Sequence, residues 1–317
     1  MRNLITGVTG FAGGHLAEAL LARGEAVVGV SRRPAWPPEW RHLAGMAELR
    51  ACDVGDGVAL EELLREVQPE RIYHLAGYAQ TARSFQEPDA AWAGNLGATR
   101  SLFEAVLRWD GRPRILFVGS GLVYGDAATP GQRFDETCLL QPTSPYAASK
   151  AAADLVSYQF ARAPGLDIVR ARPFNHIGPA QSSEFAVAHF CKQVAAITLG
   201  HAPPVLETGN LAPRRDLTDV RDVVRAYVLL IERGRAGEAY NIGTGQTFAM
   251  REVVDHLLAL SGVTVEVRLR QDLVRAADAA AVSADAGKLR RATGWAPALS
   301  LEQTLRDTLE YWRRQSV

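Results

Sequence analysis

The sequence predicts an α/β protein built on a doubly wound parallel sheet, and three observations support this fold class. Short apolar runs typical of buried strands alternate along the chain with longer runs of helical spacing. These apolar runs are nearly continuous, as expected for strands that helices cover on both faces. A glycine-rich turn at residues 6–13 joins the first strand to the first helix. Strands alternating with helices favour βαβ units around a parallel sheet.

The first half of the chain contains the predicted units in order. Buried strands are predicted at residues 4–5, 26–30, 71–75, 115–118 and 167–171. Helices are predicted at residues 14–23, 60–67, 90–109 and 146–162. The stretch 32–45, which is rich in proline and tryptophan, is predicted to be a loop.

The pattern changes after Pro173 to mixed loops and helices. Helices are predicted at residues 185–199, 220–232, 251–260 and 301–314, with a short strand at 264–269. No internal repeat or low-complexity segment occurs in the sequence. This change predicts a large N-terminal part and a smaller C-terminal part that closes over it.

Composition and charge exclude several classes of protein. The 317 residues carry 35 Lys+Arg and 35 Asp+Glu, so no net positive field would hold nucleic acid or an anionic membrane. No run approaches the ~20 apolar residues of a membrane span. The three cysteines, Cys52, Cys138 and Cys191, do not have the spacing of a zinc site or a disulfide scaffold. The chain enters a strand pattern directly after Met1 without the regions of a signal peptide, so we expect a cytoplasmic protein.

The glycine-rich turn has the character of a dinucleotide-binding motif. Gly7 would permit the tight turn, Gly10 the approach of a pyrophosphate, and Gly13 close packing of the helix on the strand. Phe11 and Ala12 fall at the start of the helix, whose N–H groups and dipole favour phosphate. Glycines also occur in ordinary turns, but this position between the first strand and the first helix favours a Rossmann-type cofactor site.

The end of the second strand indicates which dinucleotide binds. An acidic residue there would hold the ribose of NAD, whereas arginine favours the additional phosphate of NADP. The residues at this place are Ser31, Arg32 and Arg33. A solvated loop is the alternative in an arginine-rich chain; NADP(H) is favoured, with NAD(H) as the other option. Asp53 and Val54, which lie between the predicted strands 26–30 and 71–75, are candidates for contact with the adenine.

Tyr146, Lys150 and Ser120 form a candidate acid/base group. Tyr146 and Lys150 are four residues apart on one predicted helix and hence on one face. A tyrosine, with an ordinary pKa of about 10, works at neutral pH only if a neighbouring cation favours the phenolate, which is the role expected of Lys150. Ser120 ends the fourth predicted strand, at the ligand crevice of such sheets, and can donate to a substrate carbonyl. The alternatives are a chance helix pair and a capping serine. The other two lysines of the chain, Lys192 and Lys288, have no predicted role.

Together, these motifs resemble the extended short-chain dehydrogenase/reductase superfamily of NAD-dependent epimerases and dehydratases, over essentially the whole chain. The resemblance is carried by Thr6-Gly7-Val8-Thr9-Gly10-Phe11-Ala12-Gly13, His74-Leu75-Ala76-Gly77, Ser120 to Tyr124-Gly125, Tyr146 to Lys150, and Arg172-Pro173-Phe174-Asn175. It implies an enzyme in which Ser120, Tyr146 and Lys150 are catalytic and Asn95 completes a proton relay.

The resemblance also implies which residues contact cofactor and substrate. Further cofactor contacts would come from Leu75, Ala76, Gly77 and Pro173. The substrate would be a nucleotide sugar, contacted by Ser120, Asn175, His176, Arg215, Arg275 and Asp278. Residues 1–174, with a return segment near 213–243, would form the dinucleotide-binding domain, and residues 175–317 the nucleotide-sugar domain. The predicted helices 90–109 and 146–162 would form the interface of a homodimer.

Within the superfamily, segments 174–182, 209–211 and 215–227 are similar to those of reductases of deoxysugar biosynthesis that convert GDP-4-keto-6-deoxy-D-mannose to GDP-D-rhamnose with NADPH. Two segments depart from that pattern. Gly121-Leu122-Val123 follows Ser120 where such reductases usually carry a serine and acidic residues, and Ala276-Ala277-Asp278 stands where they carry Pro-Ser-Glu.

Three other functions have to be weighed against a reductase. A GDP-mannose 4,6-dehydratase needs an added acid/base pair, and the acidic position of such enzymes, two residues before Tyr124, is Leu122 here. A nucleotide-sugar 4-epimerase uses the same serine, tyrosine and lysine with a retained NAD, which fits Arg32 and Arg33 poorly. A regulator that binds a dinucleotide without turnover would typically have lost the tyrosine or the lysine. We therefore expect an NADPH-dependent reductase of a 4-keto-6-deoxy nucleotide sugar.

Overall fold

The structure is a computed structural model and describes residues 1–127, 129, 131–273 and 281–315. Its strands are, in chain order, β1 (Arg2–Thr6), β2 (Ala26–Ser31), β3 (Glu48–Ala51), β4 (Arg71–His74), β5 (Arg114–Val118), β6 (Ile168–Pro173), β7 (His176–Ile177), β8 (Val205–Thr208), β9 (Arg214–Asp216), β10 (Thr218–Asp219), β11 (Ala239–Ile242), β12 (Thr247–Ala249), β13 (Glu266–Leu269) and β14 (Ala281–Val282). Its α-helices are α1 (Phe11–Ala22), α2 (Gly57–Val67), α3 (Pro88–Trp92), α4 (Ala98–Trp109), α5 (Pro145–Arg162), α6 (Ala186–Thr198), α7 (Val220–Arg233), α8 (Met250–Ser261), α9 (Gly287–Thr293) and α10 (Leu301–Gln315). Short 3₁₀ turns span Pro38–Leu43, Arg83–Phe85, Gly121–Tyr124 and Gln271–Leu273, and a π-helical turn spans Ala93–Gly97.

The central layer is a parallel sheet in which seven of the described strands pair in the order β11-β6-β5-β4-β1-β2-β3. The order reverses at β1 and β4, because β2 and β3 lie on one side of β1 and the other strands on the opposite side. In open α/β sheets such a reversal leaves a crevice at the carboxyl ends of the strands, where ligands bind. The predicted doubly wound α/β fold is confirmed.

Helices cover both faces of this sheet, and each face has its own apolar core. Helices α1 and α7 pack on one face together with Ile5, whereas α2, α4 and α5 pack on the other face together with Leu4. The two neighbouring residues of β1 thus face opposite cores, since side chains alternate along a strand. Because both faces are buried, most of these strands are rich in apolar residues without alternation, which is why β1, β2, β4, β5 and β6 could be predicted from the sequence. Strands β3 and β11 were not predicted.

Helix α5 carries two of the candidate catalytic residues, and its start is defined by the sequence. The Ser144 hydroxyl accepts a hydrogen bond from the backbone N–H of Ala147 at 3.1 Å. Pro145 occupies the first helical position, where its fixed φ is suitable and its missing N–H is not needed. This cap places Tyr146 in the first turn, beside the end of the sheet.

The chain leaves the sheet after β6 and later returns to it. Strand β11 pairs with β6, and α7 packs against α1. The segment between β6 and α7 and the segment after β11 contribute to a separate core. In this core α6, α8 and α10 pack with Leu206 of β8. Within the parts of the chain that the structure describes, no helix is long and apolar enough to cross a membrane.

Two predicted elements were wrong in detail. The predicted loop at 32–45 contains the 3₁₀ turn Pro38–Leu43, because the ring of Trp40, 2% exposed, packs directly on Gly14. The predicted continuous helix at 90–109 is interrupted by the π-helical turn Ala93–Gly97. Neither feature has a hydrophobic period, so neither could be seen in the sequence.

Candidate active site

The glycine-rich turn forms a cradle that larger residues could not form. Gly7 has φ +74°, and a Cβ there would lie 2.8 Å from the backbone N of Ala76. A Cβ on Gly13 would overlap the carbonyl oxygen of Gly7 and lie 2.8 Å from Cα of Val8. The missing side chains therefore let α1 start close to the end of β1.

The amino end of α1 has donors for a ligand. Gly10 precedes the helix in an extended conformation, and among the described residues no side chain caps this end. The N–H groups of Phe11, Ala12 and Gly13 have no acceptor within the helix, and the helix dipole is positive here. The cradle and this helix end fit the pyrophosphate of a dinucleotide.

His74, at the end of β4, has a structural role. Its Nδ1 lies 2.8 Å from Oγ1 of Thr6, and its Nε2 lies 3.1 Å from Oγ1 of Thr99. Burial, with the charge of Lys150 nearby, lowers the pKa of His74 to about 3, so the ring is neutral. The Thr6 hydroxyl also accepts the N–H of Ala76 at 3.2 Å. These bonds place residues 75–77 beside the glycine-rich turn.

At the end of β2, the side chains of Arg32 and Arg33 are exposed. The hydroxyl of Ser31 lies 3.2 Å from that of Thr9 and accepts the backbone N–H of Arg33 at 3.3 Å. Within the described residues neither guanidinium has a carboxylate partner, whereas Arg50 on the neighbouring strand is paired with glutamates. The two arginines are therefore available to an anion at the rim of the crevice.

Asp53 and Val54 follow β3, at the same carboxyl end of the sheet as Arg32 and Arg33. A carboxylate oxygen of Asp53 accepts the N–H of Gly55 at 2.9 Å, and Val54 is buried in the core with α2 and α4. The carboxylate of Asp53 thus stabilises the turn in which it lies, and its contact with an adenine stays a prediction.

The structure brings Ser120 and Tyr146 close together. The Ser120 hydroxyl lies near enough to the phenol to lower its pKa, and Oγ of Ser120 accepts the N–H of Leu122 at 3.1 Å. Ser120 is therefore both a capping serine and a neighbour of the phenol. Burial raises the pKa of Tyr146, and the nearby Ser120 hydroxyl opposes this shift only in part. The phenol thus carries its proton at neutral pH.

Lys150 lies on the same face of α5 but does not lower the pKa of Tyr146. Its Nζ donates to the carbonyl oxygen of Val118 at 3.0 Å, and the side chain is 7% exposed. Burial lowers the pKa of Lys150 to about 8. The expectation that Lys150 depresses the pKa of Tyr146 was wrong for this structure, because desolvation of the phenol dominates.

Asn95 lies in the π-helical turn, a kind of turn that is frequent at functional sites. Its Oδ1 accepts the N–H of Tyr78 at 3.0 Å, and its Nδ2 donates to Oγ of Ser149 at 2.9 Å. Ser149 in turn donates to the carbonyl oxygen of Tyr146 at 2.8 Å. A Cβ on Gly77 would lie 2.6 Å from Oδ1 of Asn95 and 3.4 Å from Nζ of Lys150. Asn95 therefore connects the predicted cofactor crevice with the backbone of Tyr146.

Sequence reasoning missed a second residue that holds Tyr146. The hydroxyl of Ser84, which is fully buried, accepts the N–H of Tyr146 at 3.1 Å. Ser84 comes from the loop after β4, 62 residues away in the chain. No local signal in the sequence marks such a long-range cap.

The predicted substrate residues of the described chain lie after β6 and on β9. The ring of His176 stacks on that of Phe11 at 5.8 Å between centroids, so this residue contacts the cofactor turn, which was not predicted. Asn175 is half-buried, and its carbonyl oxygen accepts the N–H of Thr218 at 3.0 Å. Arg215 is half-buried on β9.

Pro173 was also predicted to contact the cofactor, and Arg275 and Asp278 to contact the substrate. Pro173 ends β6 beside Ile242. Arg275 and Asp278 lie outside the described residues.

Gly121 and Leu122 follow Ser120 in the 3₁₀ turn. A Cβ on Gly121 would lie 2.5 Å from the ring of Phe174, so packing excludes any side chain there. Leu122 is half-buried and has no group that can move a proton. Both positions beside the serine are therefore chemically inert.

The two remaining lysines have structural roles. Nζ of Lys192 lies 5.3 Å from the ring centroid of Trp312. Nζ of Lys288 donates to Glu238 at 2.6 Å and lies 4.8 Å from the ring centroid of Tyr240. Lys150 is thus the lysine that belongs to the candidate site.

Comparison with known proteins places the chain among nucleotide-sugar enzymes. The sequence profile of a family described as GDP-mannose 4,6 dehydratase matches residues 4–308. The chain is 32% identical over 311 residues to the GDP-6-deoxy-D-mannose reductase of Pseudomonas aeruginosa, with 98% of this chain and 97% of that protein covered. The solved structure of RMD from Pseudomonas aeruginosa complexed with NADPH superposes with a TM-score of 0.86 at 32% identity and 99% coverage of both chains. The UDP-glucose 4-epimerase of Thermus thermophilus, solved with NAD, has a TM-score of 0.88 at 29% identity and the same coverage.

Proposed function

Because the chain belongs to the GDP-mannose 4,6 dehydratase family, we propose that it is the reductase among that family's activities. The chain is an NAD(P)-dependent oxidoreductase that acts on a nucleotide sugar. Its proposed reaction is the reduction of a 4-keto-6-deoxy nucleotide sugar, GDP-4-keto-6-deoxy-D-mannose to GDP-D-rhamnose. The GDP-6-deoxy-D-mannose reductase similarity supports this substrate.

The observation that carries the proposal is the inert pair beside Ser120. A dehydratase has to remove a proton from sugar C5 and expel the C6 hydroxyl, which needs further acid and base groups. Gly121 cannot carry a side chain against Phe174, and Leu122 cannot exchange a proton. The protonated state of Tyr146 at neutral pH suits an enzyme whose tyrosine starts as an acid.

Each catalytic residue has a defined part in this reaction. Bound NADPH supplies a hydride to sugar C4. The hydroxyl of Ser120 donates to the C4 carbonyl oxygen, and the phenol of Tyr146 gives that oxygen its proton. The ammonium of Lys150 binds the cofactor ribose, and Asn95 completes the relay that returns a proton to Tyr146.

The proposed preference for NADP(H) rests on Arg32 and Arg33. A guanidinium can bind a phosphate through two parallel hydrogen bonds. Both side chains are exposed at the end of β2, and within the described residues neither is paired with a carboxylate. A cofactor that arrives as NADPH and leaves as NADP in each turnover fits a reductase, whereas an epimerase retains its cofactor.

The binding regions follow the proposed reaction. We assign the dinucleotide to residues 1–174 with the return segment 213–243, and the nucleotide sugar to residues 175–317. Asn175 and His176 would contact the sugar side, and Arg215 would pair with a phosphate. A homodimer through α3 to α5 is also proposed, since Trp92, Leu155 and Tyr158 are exposed on these helices.

A comparison of three substrates tests the proposal. Purified protein is incubated with NADPH and GDP-4-keto-6-deoxymannose while absorbance at 340 nm is followed. In parallel, GDP-mannose tests for dehydration, and GDP-D-rhamnose without added cofactor tests for epimerisation. Rapid NADPH oxidation with the keto sugar alone is expected, and no oxidation above the blank would contradict a reductase.

A further inference from the structure

Asp154 is a fully buried carboxylate on the catalytic helix, and the proposed reaction does not use it. It follows Tyr146 by eight residues and Lys150 by four, so all three side chains share one face of α5. A buried charge is costly unless other charges and hydrogen bonds compensate it. The groups that compensate Asp154 therefore show what it does.

The compensating groups are two arginines of β6. Nε of Arg172 donates to Oδ2 of Asp154 at 3.0 Å, and Nη2 donates to Oδ1 at 2.7 Å. Nη1 of Arg170 also donates to Oδ1. Every residue of β6 is buried, and its two arginines point to the same face because they are two positions apart. Asp154 therefore ties α5 to the strand beside β5.

The same arginine continues to the turn that carries Ser120. Nη1 of Arg172 donates to the hydroxyl of Tyr124 at 2.8 Å, and that hydroxyl donates to Oδ1 of Asn241 at 2.8 Å. Tyr124 is the last residue of the 3₁₀ turn that starts directly after Ser120. Its ring is fixed by stacking on Phe134 at 5.3 Å between centroids.

A close approach at the end of β5 completes this connection. A Cβ on Gly119 would lie 3.6 Å from Oδ2 of Asp154, so the carboxylate lies beneath the residue that precedes Ser120. A chain of hydrogen bonds thus joins the helix of Tyr146 and Lys150 to the turn after Ser120, and the carboxylate of Asp154 lies close to Gly119 on the other side of Ser120.

We propose that Asp154 is a positioning residue that acts through Arg172 and Tyr124 to hold the Ser120 hydroxyl against that of Tyr146. The inference rests on the proposed roles of Ser120 and Tyr146. Asp154 accepts only from Nε and Nη2 of Arg172, so the buried Nη1 needs a further acceptor, which is the hydroxyl of Tyr124. The hydroxyl of Tyr124 makes the network reach the catalytic turn.

A spectroscopic titration tests the positioning role without requiring turnover. The protein is labelled with 3-fluorotyrosine, and the ¹⁹F resonance of Tyr146 is assigned by its absence in Tyr146→Phe. Because the nearby Ser120 hydroxyl lowers the pKa of Tyr146, displacement or loss of that hydroxyl should move the titration of Tyr146 to higher pH. We expect this shift in Asp154→Asn and Tyr124→Phe, and also in Ser120→Ala as the positive control.

Tyr124→Phe is the decisive variant, because it keeps the ring and all charges and so should fold. Asp167→Asn, which weakens a partly buried pair with Arg114 at 2.9 Å, is the matched control and should leave the titration unchanged. In the Ser120→Ala background, Tyr124→Phe should cause no further shift. An unchanged Tyr146 titration in Tyr124→Phe, with or without a lower Tm, would overturn the inference.

Turnover measured on the same proteins separates this inference from the proposed function. We expect Tyr124→Phe to lower kcat about tenfold with KM for NADPH changed less than about twofold. If the variants show the titration shifts but the wild type does not reduce the keto sugar, the proposed function is contradicted and the positioning network is supported. Reduction at full rate by Tyr124→Phe would contradict the positioning role alone.

Discussion

At the scale of single residues, the candidate site depends on two neighbouring hydroxyl groups and one buried ammonium. The Ser120 hydroxyl lies beside the phenol of Tyr146, and burial keeps the phenol protonated. A group that starts protonated can act as an acid towards a developing alkoxide. Lys150, held by the carbonyl of Val118, supplies a cation within the same crevice.

Replacement of the phenol should remove the reaction and leave the fold intact. In Tyr146→Phe the substrate oxygen has no proton donor, so NADPH oxidation with the keto sugar should fall by a factor of about 10² to 10⁴. The Tm and the affinity for NADPH should stay close to those of the wild type, because only a hydroxyl is lost. A variant that retains more than about a tenth of the wild-type rate would exclude Tyr146 as the acid.

Binding of NADPH should depend on the charge of Lys150. Burial lowers its pKa from 10.5 to about 8, so the side chain becomes neutral above that pH and loses its attraction for the cofactor. We expect the affinity for NADPH, measured by quenching of tryptophan fluorescence, to decrease as the pH rises from about 7 to 9. Lys150→Met has no group that titrates there and should show no such decrease; an equal slope in both proteins would rule out Lys150 as the cause.

The lowered pKa of Lys150 should weaken cofactor binding at high pH but increase the stability of the folded protein there. Between about pH 8 and 10.5 the unfolded chain keeps a proton on Lys150 that the folded chain has released. The contribution of this residue to the free energy of unfolding should therefore rise with pH in that window.

The choice of cofactor should change with the two arginines after β2. In the double variant Arg32→Ala, Arg33→Ala the KM for NADPH should rise at least about tenfold, because two phosphate ligands are lost. The KM for NADH should change little. The matched control is Arg112→Ala. Arg112 is exposed and precedes β5, at the amino ends of the strands. Equal changes for both cofactors would argue for a general effect of charge.

At the scale of helices and strands, predictions from the sequence were most accurate for strands that are buried on both faces and for helices with one apolar face. Strand β5 was predicted within one residue, and the end of helix α4 at Trp109 was predicted correctly, for this reason. The π-helical turn that contains Asn95 was not predicted, because the apolar spacing on either side of it is compatible with one continuous helix. The pairing of Asp154 with Arg172 was also invisible, since it joins residues 18 positions apart through the tertiary fold.

The glycine-rich turn provides a prediction at this scale. Gly13→Ala would place a methyl group against the Gly7 carbonyl, so α1 would have to move away from β1. We expect a lower Tm and loss of NADPH binding. Gly97→Ala is the control, because its Cβ would have no neighbour closer than 3.9 Å and alanine favours a helix by up to about 1 kcal/mol. A Gly13→Ala protein that binds NADPH normally would contradict the cradle.

At the scale of the whole molecule, the doubly wound sheet and the site at its switch point could be predicted from the sequence. The glycine-rich turn, Ser120 and residues 75–77 all follow parallel strands, and the carboxyl ends of such strands meet at one edge. The nucleotide contacts at Arg275 and Asp278 could not be tested, since they lie outside the described residues. The bond of Tyr146 to Ser84 depends on a loop that has no sequence signature.

The assembly provides a prediction at the same scale. Leu155 and Tyr158 of α5 are 58% and 45% exposed, and a second copy of the chain would cover them. Light scattering after gel filtration should give the mass of two chains for the wild type and of one chain for Leu155→Arg. The matched control is Leu139→Arg, which is exposed outside these helices and should not change the mass. A monomeric wild type would contradict the proposed interface.

The proposed reaction transfers a hydride from NADPH to C4 of a 4-keto-6-deoxy nucleotide sugar. The most direct test uses NADPH deuterated at the transferable position of the nicotinamide together with GDP-4-keto-6-deoxymannose, and mass spectrometry with NMR of the sugar product. We expect one deuterium per product molecule, located at C4 of a GDP-6-deoxyhexose, with one NADPH consumed for each. A product without deuterium at C4, or no consumption of NADPH, would contradict it.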